Sequence, residues 1–325
     1  MNTKSSMRGA AAAVSGARHV RLGRNGQDAA AMWIGGAVGA GSAAVGHIGA
    51  VVVCDGCGSG ASSEVGARLG AQLVLAAIVR RLGAVLLDPA SPEPLDVASI
   101  DRESLDGAFW GLVRSDVVRA LDVIVRSMTD ARSPSVPAWV AREQIVHDHF
   151  LFTTIAAVMI DDVIAVWAIG DGAYAIDAGV RELGPFENNQ PPYLGYDLLA
   201  DAAHLDARRV DPQRIDPQRI DPQIGPQRDS EAPDACHARA RIEVTRGSSV
   251  IVATDGVAEI GLDRFAGVDR FVAHPDALRR HLALLARTDE RIDWDARRVM
   301  REPALLQDDG AVAMLVRDAR HGGAS

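Results

Sequence analysis

Lysine is almost absent. Lys4 is the only one in 325 residues, and arginine supplies the rest of the 34 cationic side chains against 43 Asp and Glu. A net charge of -9 and a pI near 5.5 leave no basic stripe for a duplex, so nucleic acid is excluded as a partner. Aromatics make up only 4% of the chain, so the core must be built from Val, Ile, Leu and Ala. Three cysteines, Cys54, Cys57 and Cys236, are too few for a disulfide framework and fit a reducing compartment, which points to the cytoplasm. The N-terminus, Met1–Val14, carries an alanine run but no apolar signal region, and is expected to be disordered or weakly ordered. Ala29–Cys54 bears no formal charge and is long enough for a membrane span. Glycines at 35, 36, 39, 41, 46 and 49 break it up, so it reads instead as two buried strands, Ala29–Ile34 and Gly49–Cys54, and a membrane partner is not expected.

What is present, 48% hydrophobic against 24% charged residues, excludes a wholly disordered chain. A helix is expected from Ser62 or Ser63, with Glu64 in its first turn, Val65, Leu69, Leu73 and Ala76 at helical spacing, and Gly83 ending it. Leu105, Phe109, Leu112, Val117, Leu121, Ile124 and Met128 mark a second long amphipathic helix. Short β-branched runs follow at Phe150–Ile160, Val163–Ile169 and Ala173–Ile176, separated by Asp-Asp and Gly-Asp-Gly, which read as hairpin turns. Further strands are expected at Ala240–Val244, Ser249–Ala253 and Ala311–Val316, and a helix at Pro275–Arg287. This order gives an α+β chain of antiparallel sheets with helices laid over them. From Gly179 to Arg239 no element is assigned. DPQRI repeats from Asp211 onward bring proline every few residues and read as a solvated surface insertion, about 205–235.

Four aspartates stand near strand ends: Asp28 after Asn25-Gly26-Gln27, Asp55 after AVVVC, Asp255 after SVIVAT, and Asp308 before the last strand. One Asp-Gly after a strand is an ordinary turn. Several carboxylates at one edge of packed sheets repel one another unless a cation joins them, and oxygen ligands without histidine favour Mg²⁺ or Mn²⁺. Cys54 and Cys57 form a C-x-x-C, but the Asp-Gly between them argues against a redox pair. His147 and His149 have no further ligands nearby and read as ordinary histidines at a strand edge.

The set NGQDA (25–29), DGCGSG (55–60), TT (153–154), IGDGAYAI (169–176), ATDGVAEI (253–260) and DDGAVAML (308–315) resembles the motif series of the type 2C (PPM) metal-dependent protein Ser/Thr phosphatases, over roughly residues 15 to 317. A Cys after Asp-Gly and the PPYLGY segment (191–196) match the bacterial branch. The resemblance implies a four-layer α-β-β-α sandwich of two antiparallel sheets flanked by helices. It also implies one catalytic domain over 15–318, with 319–325 a tail. Asp55 would bridge two Mn²⁺ or Mg²⁺ ions with the Gly56 carbonyl on one of them, Asp255 and Asp308 would hold the other, and Asp28 would orient water. Asp171 and Glu259 would hold a possible third ion. The implied activity is hydrolysis of phosphoserine or phosphothreonine in a phosphorylated protein, in signalling, by attack of a metal-bridging hydroxide, from a cytoplasmic monomer.

This chain departs from the family in two places. Gly23 occupies the spacing of the phosphate-gripping arginine, leaving Arg24, with Arg21 in reserve, for that role. Cys57 stands where many members have histidine as the leaving-group acid, so aryl phosphates should be better substrates than phosphoserine. Both departures would also suit a catalytically weak or inactive type 2C-like regulatory or binding module. Retention of all four carboxylates argues for the enzyme.

Overall fold

The computed structural model describes residues 7–37, 46–86, 103–131, 137–187, 190–199, 240–274 and 276–317. Two five-stranded antiparallel sheets form its centre. The strands are β1 (Met7–Val14), β2 (Asp28–Ala37), β3 (Gly46–Gly56), β4 (Phe152–Ile160), β5 (Val163–Ile169), β6 (Gly172–Ile176), β7 (Gly179–Leu183), β8 (Arg241–Arg246), β9 (Ser249–Ala253), β10 (Asp289–Asp293), β11 (Arg298–Glu302) and β12 (Gly310–Arg317). One sheet runs β1-β12-β9-β6-β7 and the other β2-β3-β4-β5-β8; β10 and β11 form a separate two-stranded ribbon. The helices are α1 (Ala17–Leu22), α2 (Ser63–Leu86), α3 (Gly107–Asp130), α4 (Ala138–Ile145), α5 (Asp255–Ile260), α6 (Asp269–Val272) and α7 (Ala277–Leu285).

The β3 run Ala50–Cys54 is apolar without a break because both faces of that strand are covered. Val51 and Val53 join Ile155, Met159, Tyr174, Val252 and Leu315 in the layer between the sheets. Val52 and Cys54 point the other way, into a cluster with Val74 and Ile78 of α2 and Trp110 and Val117 of α3. There Trp110 stacks on Trp167 with ring centroids 5.6 Å apart. On the far side, Val257 of α5 and Leu278 and Leu282 of α7 cover Val312 and Met314 of β12. Three apolar layers separated by two sheets make the expected α-β-β-α sandwich.

Several expectations are corrected. Met7–Val14 is not disordered: it pairs with β12 over its whole length, from Met7 opposite Arg317 to Val14 opposite Gly310. Alanine favours helix in isolation, but this run lies where pairing and burial decide its state. Gly83 does not end α2, which continues to Leu86. Within the unassigned 179–239 region, Gly179–Leu183 forms β7 at a sheet edge. Val146–Phe150, with His147 and His149, is a π-helical turn and not a strand edge. Gly170-Asp171-Gly172 is no hairpin, since β5 and β6 belong to different sheets and the turn carries the chain from one to the other. Gly172 (φ 122°) makes that crossing in a backbone region disfavoured for L side chains. The DPQRI repeats and the tail after Arg317 lie outside the described residues.

Candidate active site

The crossover turn and four strand ends meet at one edge of the sandwich. Asp28 opens β2 and is the antiparallel partner of Asp55 near the end of β3. Asp55 pairs in turn with Thr153 of β4. On the other sheet, β9 ends at Ala253 beside Val312 of β12, which places Asp255 and Asp308 together. Thr254 joins the two sheets: it accepts from the Ala311 N–H at 2.9 Å and donates its hydroxyl to Asp28 Oδ2 at 2.5 Å.

Electrostatics report the same convergence. Burial pushes Asp28 up to about 7; hydrogen bonds with Asp55 and Thr254 oppose this, and the charges of Asp309 and Asp255 add to it. Burial, then the charges of Asp28 and Asp255, hold Asp55 well above the ordinary carboxylate range. Asp255 is pushed up to about 6 by burial and by Asp171, with Asp308 and Glu259 contributing. Asp171 is itself raised by burial, and its Oδ1 is buried with no hydrogen-bond partner. The strongest charged influences on Asp28, Asp55 and Asp255 are other carboxylates, and a side-chain hydrogen bond links Asp28 with Asp55. Five expected site residues therefore meet here, and Glu259 lies within electrostatic range of Asp255. Gly56 follows Asp55, and its N–H donates to the Gln27 carbonyl.

Arg21 and Arg24 flank Gly23 at the end of α1 and are exposed. Nothing ties either guanidinium to the carboxylates. Cys57 is half-buried, its sulfur 3.1 Å from Ser59 Oγ. Burial raises its thiol, but hydrogen bonds with Ser59 and Tyr193 outweigh this and leave it below the ordinary thiol value. Tyr193 belongs to the PPYLGY segment, which Arg114 clamps through Asp197 (2.6 and 2.7 Å) and Arg142 through the Leu198 carbonyl (2.7 Å). Cys54 is buried and 3.4 Å from Thr154 Oγ1, a packing role and not a redox one.

Two residues of this neighbourhood escaped the sequence. Asp309, 3% exposed, accepts from the Gly16 N–H (2.8 Å) and the Gln27 N–H (2.6 Å), and its Oδ2 lies 2.6 Å from His19 Nδ1. His19 Nε2 lies 4.0 Å from Asp308 Oδ1. A Cβ on Gly16 would collide with the Asp308 carbonyl, so glycine is required where α1 approaches this turn. A histidine thus stands at the carboxylate edge, brought there by α1. The Asp308-Asp309 doublet was the only signal in the sequence, and it did not say which partner the second carboxylate would take.

A family model described as protein phosphatase 2C matches residues 15–294. The chain belongs to that family. The match ends before Asp308 and before β12, the strand beside β9. Among solved structures, the Mycobacterium tuberculosis serine/threonine phosphatase PstP/Ppp is similar at 15% identity, covering 95% of this chain and 98% of its own, with a TM-score of 0.45. The Staphylococcus aureus serine/threonine phosphatase Stp1 is similar at 12% identity, covering 98% of each chain, with a TM-score of 0.42. A bacterial serine phosphatase gives 12% identity, 96% and 98% coverage and a TM-score of 0.45. No curated protein matches the chain by sequence. Among the described residues of this 2C chain, no helix is long and apolar enough to cross a membrane.

Proposed function

We propose that the chain is a metal-dependent phosphatase that hydrolyses phosphoserine or phosphothreonine in proteins. The observation that carries this reading is a buried edge where Asp28, Asp55, Asp171 and Asp255 crowd together and raise one another. Such an edge is costly by itself and is relieved by divalent ions. The residues fit such ions: Asp171 Oδ1 is a buried acceptor without a donor, and the donor set is mainly carboxylate. Asp55, between Asp28 and Asp255, would be shared by two Mn²⁺ or Mg²⁺ ions. The Gly56 carbonyl would serve one of them and Asp255 and Asp308 the other, with Asp171 and Glu259 available to a third.

Bound there, two divalent ions would supply water of lowered pKa and neutralise the phosphate dianion. The protein's share is positional. Asp28, held by the Thr254 hydroxyl, orients the attacking water. Arg24, with Arg21 in reserve, grips the phosphate from the exposed end of α1. The Cys57 thiol, backed by Ser59 and Tyr193, faces the leaving alkoxide and is a less apt proton donor than imidazolium. No serine or cysteine nucleophile is needed.

The test is an assay with and without Mn²⁺ and chelator, on an aryl phosphate and a phosphothreonine peptide, beside Asp255→Asn. The reading expects metal-dependent turnover that is lost in the variant, with the aryl phosphate favoured over phosphoserine peptides. Exposed Arg21 and Arg24 and the glycine at 23 favour a second reading, a binding module without catalysis. Thermal stabilisation by Mn²⁺ with no turnover of either substrate would establish that one instead.

A further inference from the structure

The geometry points to His19 as a nitrogen ligand for the cation held by Asp308. The assignment rests on the metal-dependent reading above and adds a donor outside the aspartate set. His19 sits on α1 with its side chain 9% exposed. His19 and Asp308 offer donor atoms that, together with Asp309, all fall within 4.8 Å of one another.

The two ring nitrogens have separate tasks. Nδ1 lies 2.6 Å from Asp309 Oδ2, a carboxylate anchored by two backbone N–H groups, of Gly16 and Gln27. An imidazole that donates from Nδ1 to a carboxylate presents its lone pair at Nε2. A carboxylate behind the ring, fixing tautomer and orientation, is the arrangement found behind metal-bound histidines. Nε2 faces Asp308 Oδ1 across 4.0 Å, too far for a hydrogen bond. That gap is within reach of one cation bonded to both atoms at about 2.1 Å each. Asp308 Oδ1 is steadied by the Asp309 N–H at 2.9 Å, so one dipeptide positions both donors. The buried ring thus has one nitrogen held and the other directed at a carboxylate of the proposed ion site.

A nitrogen donor changes which ion the site prefers. Imidazole suits Mn²⁺ and later divalent metals better than Mg²⁺, which takes oxygen. Replacing His19 should therefore weaken Mn²⁺ more than Mg²⁺. Asp309→Asn should weaken Mn²⁺ by about 10–100-fold, because the partner behind a metal-bound histidine sets its orientation and basicity.

The experiment is pulsed electron paramagnetic resonance on the full chain, stripped with chelator and reloaded with Mn²⁺, alongside equilibrium dialysis for Mn²⁺ and Mg²⁺. The expected result is nitrogen modulation of the Mn²⁺ echo that disappears in His19→Asn and His19→Gln and persists in His281→Asn. Circular dichroism verifies that each variant is folded. Mn²⁺ that binds and supports turnover without nitrogen modulation overturns the ligand and leaves the phosphatase standing. Modulation that survives in folded His19→Asn also overturns it. Modulation from His19 without turnover keeps the ligand and sinks the phosphatase. A chain that binds no Mn²⁺ loses both.

Discussion

Between α2 and α3 the buried Asp116 has Arg81 at 2.7 Å, Arg80 at 3.3 Å and Arg119 at 3.8 Å. At the sheet edge Asp28 and Asp55 face each other, and their charged neighbours are further carboxylates. The same residue type is thus treated in opposite ways. The arginines, led by the hydrogen bonds from Arg81, hold Asp116 below the ordinary carboxylate value, whereas burial lifts Asp28 to about 7. Asp122 is also ion-paired, with Arg126 and Arg142, and Asp197 with Arg114. Arginine is plentiful in this chain, yet among the described residues the strongest charged influences on Asp28 and Asp55 are carboxylates. Charge is cancelled where it holds helices together and left unbalanced where the proposed ions would enter.

The sharpest way to break the comparison is to make one substitution in both regions. Asp255→Asn should cost at least about a hundredfold in Mn²⁺-dependent turnover, since each tenfold corresponds to only about 1.4 kcal/mol of barrier. Asp116→Asn should leave turnover unchanged and lower stability by about 1 kcal/mol, read from the denaturation midpoint. Loss of turnover in the second variant would show that the regions are not separate.

Removing a cation from the matched region comes next. Arg114 is clamped on Asp197 with both side chains largely buried, so Arg114→Ala should destabilise by about 3–5 kcal/mol in denaturant unfolding. The PPYLGY segment should loosen with it, because Asp197 and Tyr193 lie on the same short stretch.

A smaller effect distinguishes the regions by pH. Asp28 titrates near 7 in the fold against 3.8 when unfolded, and Asp255 near 6. Between those values the folded chain keeps protons that the unfolded chain has released. The stability they contribute is complete below about 4 and is lost as pH rises to about 7. Asp116 has the opposite sign: its contribution is present above 3.8 and lost as pH falls through its lower folded value. Melting temperatures in chelator should accordingly fall between pH 5 and 7. With saturating Mn²⁺ that fall should flatten, and a decline of equal slope under both conditions would contradict the ion-binding edge.

The smallest effect concerns the exposed end of α1. Arg24→Ala should raise KM for phosphopeptide a few-fold with kcat nearly unchanged, and Arg21→Ala should do less. Equal, negligible effects would remove α1 from phosphate binding.

Where a segment's own pattern determines its state, the sequence could be read. Residues 50–54 and 155–159 are apolar on both faces because two layers enclose them, and Asp106, which accepts from the Ala108 and Phe109 N–H groups, starts α3 where the helical spacing begins. The aspartates were visible because a charge after a buried strand is conspicuous. β1 was not, since its alanines take strand conformation only through β12, far along the chain. The exposed β7, β10 and β11 lack the alternation that burial imposes. His19 was invisible for the same reason as β1: Asp309 stands 290 positions away, and only the fold brings the two together.

The adjacency of the first and last strands sets an order of events during synthesis. β12 lies between β1 and β9, and the residue just before it ties down Gly16 and Gln27. Until the ribosome has delivered that final strand, β1 and β9 have no common neighbour and the loop leading into Asp28 has no anchor. A chain cut before β12 should therefore leave that sheet unclosed and the approach to Asp28 loose.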